Sequence, residues 1–286
     1  VPGDQRIIVA HDLTGRSTDA LQRGARLART LGARLVIVHA VDDGLPARLS
    51  ETVSSLARDE LERLAAPLRA ELGEGRVDAL LLHGSPWRMV VEAANAPDCR
   101  LLVIGPHRWR GLGELFAGSF AERILRAAQR DVLLARLPAV DDHGRVLVGI
   151  DFSPASRRAL LSAAELAPGA EIILVSAYHV LFRGIIARGH DPGEDPALEA
   201  EKRRLEREIG SQMDDFLADM PERLRGARRI IAEGGPAALL SCLAEYEEAD
   251  LIAVGAHARG RLAELLLGST ARDLADFAPC DLLVAR

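Results

Sequence analysis

Lysine is almost missing from this chain. Of its 36 basic residues only Lys202 is a lysine, and it lies in the charged run Glu201-Lys202-Arg203-Arg204. A phosphate-binding P-loop places a lysine directly after a glycine-rich turn, so that chemistry is excluded. A Schiff-base lysine finds no support either. Cysteine is scarce: Cys99, Cys242 and Cys280 are too few and too scattered for a disulfide framework or a four-thiolate zinc site. Ten aromatic residues in 286 offer few stacking platforms, and with a net charge of −6 neither half is basic enough to suggest a nucleic-acid partner. No run approaches the roughly 18 apolar residues that a membrane span needs. The opening residues lack the basic-then-apolar pattern of an export signal, so a cytoplasmic location is expected.

What is present repeats. RIIVAHDLTGRSTDAL (6–21) matches RVLVGIDFSPASRRAL (145–160), which pairs Asp12 with Asp151 at an offset of 139. LGARLVIVHA (31–40) matches PGAEIILVSA (168–177) at 137. HGSP (83–86) matches EGGP (233–236), LLVIGPHRWRGLGELFAGS (101–119) matches LIAVGAHARGRLAELLLGS (251–269), and RDVLLAR (130–136) matches CDLLVAR (280–286), all at 150. The second copy therefore carries 13 extra residues between its second strand and its EGGP turn. Two domains follow, 1–140 and 141–286, with the polar stretch LPAVDDHG (137–144) as their seam. The first carries a net +2 and the second −8.

Within copy one, nearly continuous Val/Ile/Leu runs at 6–10, 34–40, 76–82, 100–104 and 131–135 read as strands buried on both faces. Helical patterns fall between them at 17–31, 47–72, 86–95 and 119–129, the last opening with Ser119 and Glu122 in capping-box spacing. Pro86 and Pro236 occupy first-turn helix positions. In copy two, Leu205, Ile209, Met213, Phe216, Leu217, Met220 and Leu224 form one apolar helical stripe that reads as packing. Strand–helix alternation gives an α/β fold, two tandem open parallel sheets of Rossmann-like type. Ligands in such sheets bind at the carboxyl ends of the strands. The residues there are Ala10, His11, Asp12, His39, Ala40, His83, Gly105 and His107 in copy one. In copy two they are Gly149, Asp151, Ser176, Ala177, Glu233, Gly255 and His257.

Gly105 followed by Gly118-Ser119, and Gly255 followed by Gly268-Ser269, resemble the G-x2-G-x9-G-[S/T] loop of nucleotide-binding universal stress proteins. The Asp ending strand one and the G-x-P turn fit as well, across nearly the whole chain and twice. The resemblance implies an adenine nucleotide alpha hydrolase-like sheet of order 3-2-1-4-5, with the two domains paired about a pseudo-twofold. It implies an adenine nucleotide, ATP with magnesium, held by Ala10, Asp12, Ala40, Gly105, Arg108, Gly118 and Ser119 in copy one. The corresponding residues in copy two are Asp151, Ala177, Gly255, Gly268 and Ser269. Glycines let backbone N–H groups approach a phosphate, and a helix N-terminus adds its positive end. The family's second glycine is Arg108 in copy one and Ala258 in copy two. Arg108 can substitute a charged contact; Ala258 cannot.

Several of these residues also fit purely local roles. Gly118-Ser119 and Gly268-Ser269 also fit a turn plus N-cap, and Asp12 and Asp151 fit loop-anchoring carboxylates. Trp87 reads as helix packing, while Trp109 lies in the loop and can cover a ligand. The strand-end histidines with Asp12 have metal-ligand chemistry, but only His107 recurs strictly, as His257, and no metal is expected. Cys280 reads as a buried hydrophobe. No serine sits in a nucleophile elbow, so catalysis is not expected, slow ATP hydrolysis being the one enzymatic alternative. The expected role is a nucleotide-responsive stress regulator with a regulatory protein partner, in tandem chains able to dimerise. The competing role is a scaffold or a small-molecule or lipid-binding module with altered nucleotide sites, the 179–232 region supplying a pocket or interface.

Overall fold

In a computed structural model, residues 5–105, 120–180, 196–256 and 267–286 are described. Copy one runs β1 (Arg6–Ala10), a 3-10 turn (Gly15–Ser17), α1 (Thr18–Thr30), β2 (Arg34–Val41), α2 (Ala47–Leu72), β3 (Val77–His83), α3 (Pro86–Ala94), β4 (Cys99–Ile104), α4 (Phe120–Ala127) and β5 (Asp131–Leu134). Copy two runs β6 (Arg145–Gly149), α5 (Pro154–Leu166), β7 (Glu171–Tyr178), α6 (Pro196–Ala218), α7 (Glu222–Arg225), β8 (Arg228–Glu233), α8 (Pro236–Tyr246), β9 (Leu251–Gly255), α9 (Ser269–Phe277) and β10 (Asp281–Ala285). The ten strands form one sheet in the order β3-β2-β1-β4-β5-β10-β9-β6-β7-β8, so each half has the order 3-2-1-4-5. Neighbours are parallel within each half, and the halves join where β5 runs antiparallel to β10.

The apolar strands β1, β2, β4 and β5 are buried on both faces, whereas β3, expected to be the same, is an edge strand in which only Val77 is buried and Leu80 is 41% exposed, because no strand covers its outer side. Ile7, Val9, Leu35 and Leu101 pack under α1 and α2, while Ile8, Val36 and Leu102 pack under α3 and α4. Parallel strands covered by helices on both faces take near-continuous apolar runs. The third strand of each copy turns into its helix through a glycine in the left-handed region, Gly84 (φ 136°) and Gly234 (φ 155°), followed by the first-turn proline. The apolar stripe of copy two does not follow one helix: α6 stops at Ala218, Met220 lies in the turn beyond it, and Leu224 sits on α7. Pro221 precedes α7 and cannot continue the hydrogen bonding of α6.

Two carboxylates close the junction between the halves, each in the other half's backbone. Asp281 Oδ1 accepts the N–H groups of Arg136 (2.7 Å) and Leu137 (2.9 Å), and Asp131 Oδ1 accepts that of Arg286 (2.9 Å). The guanidinium groups cross the same way, Arg136 to the Ala275 carbonyl and Arg286 to the Leu125 carbonyl. The polar seam is strapped down: Arg23 donates to the Asp141 carbonyl (2.7 Å), Arg26 to that of Ala139 (2.9 Å), and Gly144 N–H to Asp250 (2.8 Å).

Candidate functional site

A cleft of about 450 Å³ opens at the carboxyl ends of β1, β2 and β4. Ala10, Asp12, Ala40 and Gly105 line it, as expected from the sequence, together with His11 and His39. Arg108, Gly118, Ser119, His107 and Trp109 lie outside the described residues. Trp87, read as helix packing, does pack against the core beneath α3, but it also forms part of the cleft wall. Asp42, Phe120 and Arg123, to which no sequence motif points, also line the cleft. Arg123 lies one helical turn after Phe120, at the mouth end of α4, and this i, i+3 spacing was the available signal.

Asp12 is fixed by its own loop. Its Oδ1 accepts from Thr14 N–H (2.9 Å), Thr14 Oγ1 (2.7 Å) and Ser17 Oγ (2.7 Å). Burial works to raise its pKa, but the hydrogen bonds from Ser17 and Thr14 outweigh that and hold the carboxyl below its ordinary range. The next residue, Leu13, is left-handed at φ 59°. Phe152, its counterpart after Asp151, is left-handed too at φ 64°. A non-glycine residue held there costs about 1–3 kcal/mol, so both copies keep the same strained corner behind the carboxylate.

His11 is 5% exposed. Its Nδ1 accepts Leu13 N–H at 3.0 Å, which places the ring proton on Nε2. Burial is the largest influence and lowers its pKa, the Asp12 charge opposing. The His39 ring bonds the His11 carbonyl through Nδ1 at 2.8 Å. His83 ends β3, is exposed and is not in the cleft wall. Among the described residues, no three His, Cys, Asp or Glu side chains come together to hold a metal ion.

The second cleft, about 420 Å³, lies at the matching ends of β6, β7 and β9. Asp151, Ala177, Gly255, Gly268 and Ser269 all line it. Asp151 Oδ1 accepts Ser153 N–H (3.0 Å), and Ser153 caps α5 by accepting from Ser156 N–H (3.1 Å). Two expected ligand groups have local duties. Gly268 N–H is already given to the Ala256 carbonyl (2.8 Å), and Gly268 is the N-cap of α9 with Ser269 as its first residue. A Cβ on Gly255 would stand 2.6 Å from Ala155 Cβ, so packing alone demands glycine there. Ile209 and Gln212 of α6, in the lengthened region, enter this wall, and no Arg or Lys is among its described lining residues.

Lys202 serves neither cleft; it pairs with Glu199 (3.1 Å) and Glu233 (3.6 Å). All three cysteines are free thiols, with burial pushing Cys99 up to about 11 and Cys280 up to about 12. No described helix is long and apolar enough to cross a membrane.

The universal stress protein family model matches residues 4–136 and again 143–286. A universal stress protein of Mycolicibacterium smegmatis is 27% identical over 98% of this chain and 96% of its own length. One from Thermus aquaticus is 32% identical over 46% of this chain and 97% of its own length. Among solved structures, a universal stress protein from Archaeoglobus fulgidus superposes with a TM-score of 0.67 at 19% identity, covering 98% of both chains.

Proposed function

Since the chain belongs to the universal stress protein family, in two tandem copies, we propose that it is a cytoplasmic, non-catalytic stress-response regulator that binds an adenine nucleotide, ATP, in the cleft of copy one. The observation that carries this reading is the composition of that cleft. It combines Asp12, pre-positioned by its loop and held below its ordinary range, with the aromatic residues Trp87 and Phe120 and with Arg123. A carboxylate suits ribose hydroxyls or an exocyclic amine, aromatic faces suit a base, and arginine suits phosphate. With the lone lysine committed elsewhere, phosphate charge falls to arginine and to backbone N–H groups. Magnesium accompanying the phosphates would take its oxygen ligands mainly from them and from water.

Copy two favours the second reading, a site for a non-nucleotide small molecule. Ile209 and Gln212 enter its cleft and no cation is among its described lining residues. In both readings occupancy biases the arrangement of the two halves or a surface that a partner protein reads. Mass spectrometry of small molecules released from the purified protein separates them. An adenine nucleotide at about one per chain supports the first; a different molecule, and no nucleotide uptake on adding ATP, overturns it. Phosphate release from ATP above background would overturn the non-catalytic assignment.

A further inference from the structure

The helix that begins at each cleft carries, at matching positions, the residues that cross to the other half. In copy one α1 starts directly after Ser17, whose Oγ donates to Asp12 Oδ1 at 2.7 Å and accepts Asp12 N–H at 3.2 Å. Six residues further, Arg23 is 3% exposed and meets Asp281 of copy two, Nε to Oδ2, at 3.0 Å. In copy two the counterpart of Arg23, offset by 139, is Ser162, which donates to Asp131 of copy one at 2.6 Å. The counterpart of Arg26 is Glu165, which Arg100 of copy one reaches at 2.6 Å. Arg26 itself holds the seam.

We infer that α1 and α5 are struts that couple each cleft to the opposite half, so that a ligand held by Asp12 is felt at Asp281 in copy two. The regulatory part of this inference rests on the nucleotide reading of copy one; the mechanical part does not. At 1.5 Å of rise per residue, Ser17 and Arg23 are about 9 Å apart along α1. That length is short and packed on the core along Ala20 and Leu21. Close-packed interiors transmit displacement rather than absorbing it. The far end is equally fixed: Asp281 is fully buried, and besides Arg23 it holds His143 Nε2 at 2.9 Å and two backbone N–H groups of copy one. A shift of the Asp12 loop cannot be taken up within α1 and must appear at Asp281, at the start of β10.

Amide hydrogen exchange on the full chain tests both parts. In the absence of ligand, Asp281→Asn, or the milder Arg23→Gln should the first not fold, is expected to speed exchange in the Asp12–Ser17 loop by about tenfold, with the outer strands β3 and β8 unchanged. Adding ATP to the unaltered protein is expected to slow exchange in β10 as well as in the loop, and Arg23→Gln is expected to abolish the β10 response. Loop exchange that ignores both substitutions overturns the coupling, whether or not ATP binds. A loop that responds to the substitutions but not to ATP overturns the nucleotide reading and leaves the strut standing.

Discussion

Gly105 and Gly255 occupy the same position of the family loop, yet their environments predict opposite responses to alanine. A Cβ on Gly255 would lie 2.6 Å from Ala155 Cβ, 2.8 Å from its carbonyl carbon and 3.0 Å from its oxygen. Two of those atoms are backbone at the first turn of a buried helix, so neither side can yield cheaply. Overpacking of this kind costs about 1–3 kcal/mol, and backbone contact places it near the upper end. At about 2–4 °C per kcal/mol for a protein of this size, Gly255→Ala should lower Tm by roughly 6–12 °C. A Cβ on Gly105 meets nothing closer than the Arg16 carbonyl at 3.5 Å. The difference arises because copy one enters α1 through a 3-10 turn, whereas α5 begins at once at Pro154. Gly105→Ala should therefore change stability by less than about 1 kcal/mol, with the loss of unfolded-state freedom favouring the folded chain. Urea unfolding of both variants, with unchanged m, measures the contrast. Equal losses in the two variants, or no loss in Gly255→Ala, would refute the packing argument. Because Gly105→Ala leaves the fold intact, any drop in ATP affinity it causes reports backbone approach to the ligand.

Three further outcomes follow from the buried charges. Asp281→Ala leaves Arg23 and His143 buried without their carboxylate, and should cost about 3–5 kcal/mol, seen as a lower urea midpoint. The carboxyls of Asp12 and Asp281 are both held below their ordinary range. Burial opposes this in each case, and it is outweighed by Ser17 and Thr14 at Asp12, and by His143 and the Leu137 and Arg136 amides at Asp281. Their stabilisation is complete above the unfolded value near pH 4 and is lost as pH falls through the lower folded values, so Asp281→Asn should flatten the acid limb of a stability–pH curve. His11 behaves with the other sign: its folded pKa is lowered, chiefly by burial, so the unfolded chain binds the extra proton first. Stability should fall as pH drops below about 6.5, and His11→Asn, whose Oδ1 can still accept Leu13 N–H, should remove that slope.

Much of the fold was legible because its causes are local and repeated. Val/Ile/Leu runs, first-turn prolines and the doubled motifs place the strands and helices within a residue or two, and the order 3-2-1-4-5 came with the resemblance. The stripe ending at Met220 and Leu224 has the spacing of one helix but spans two, since apolar spacing persists across the break that Pro221 enforces. The cleft was half legible. Strand-end residues Ala10, Asp12, Ala40 and Gly105 follow from topology, but Trp87, Phe120 and Arg123 reach it from helices whose orientation only packing decides. The reciprocal carboxylates left a faint trace: RDVLLAR and CDLLVAR each put an aspartate at the start of a buried strand and an arginine at its end. A charge in that position needs partners; Arg100 and His143 supply one each from the same copy, but Arg23 for Asp281 and Ser162 for Asp131 come from the other copy, beyond the reach of local pattern.

The proposed function turns on an adenine nucleotide in copy one. Titration calorimetry of ATP into the full chain, with and without magnesium, tests it most directly. Saturable binding at about one site per chain in the micromolar range, near −8 kcal/mol, is expected. Absence of heat and of competition with ATP, ADP and AMP alike would contradict it.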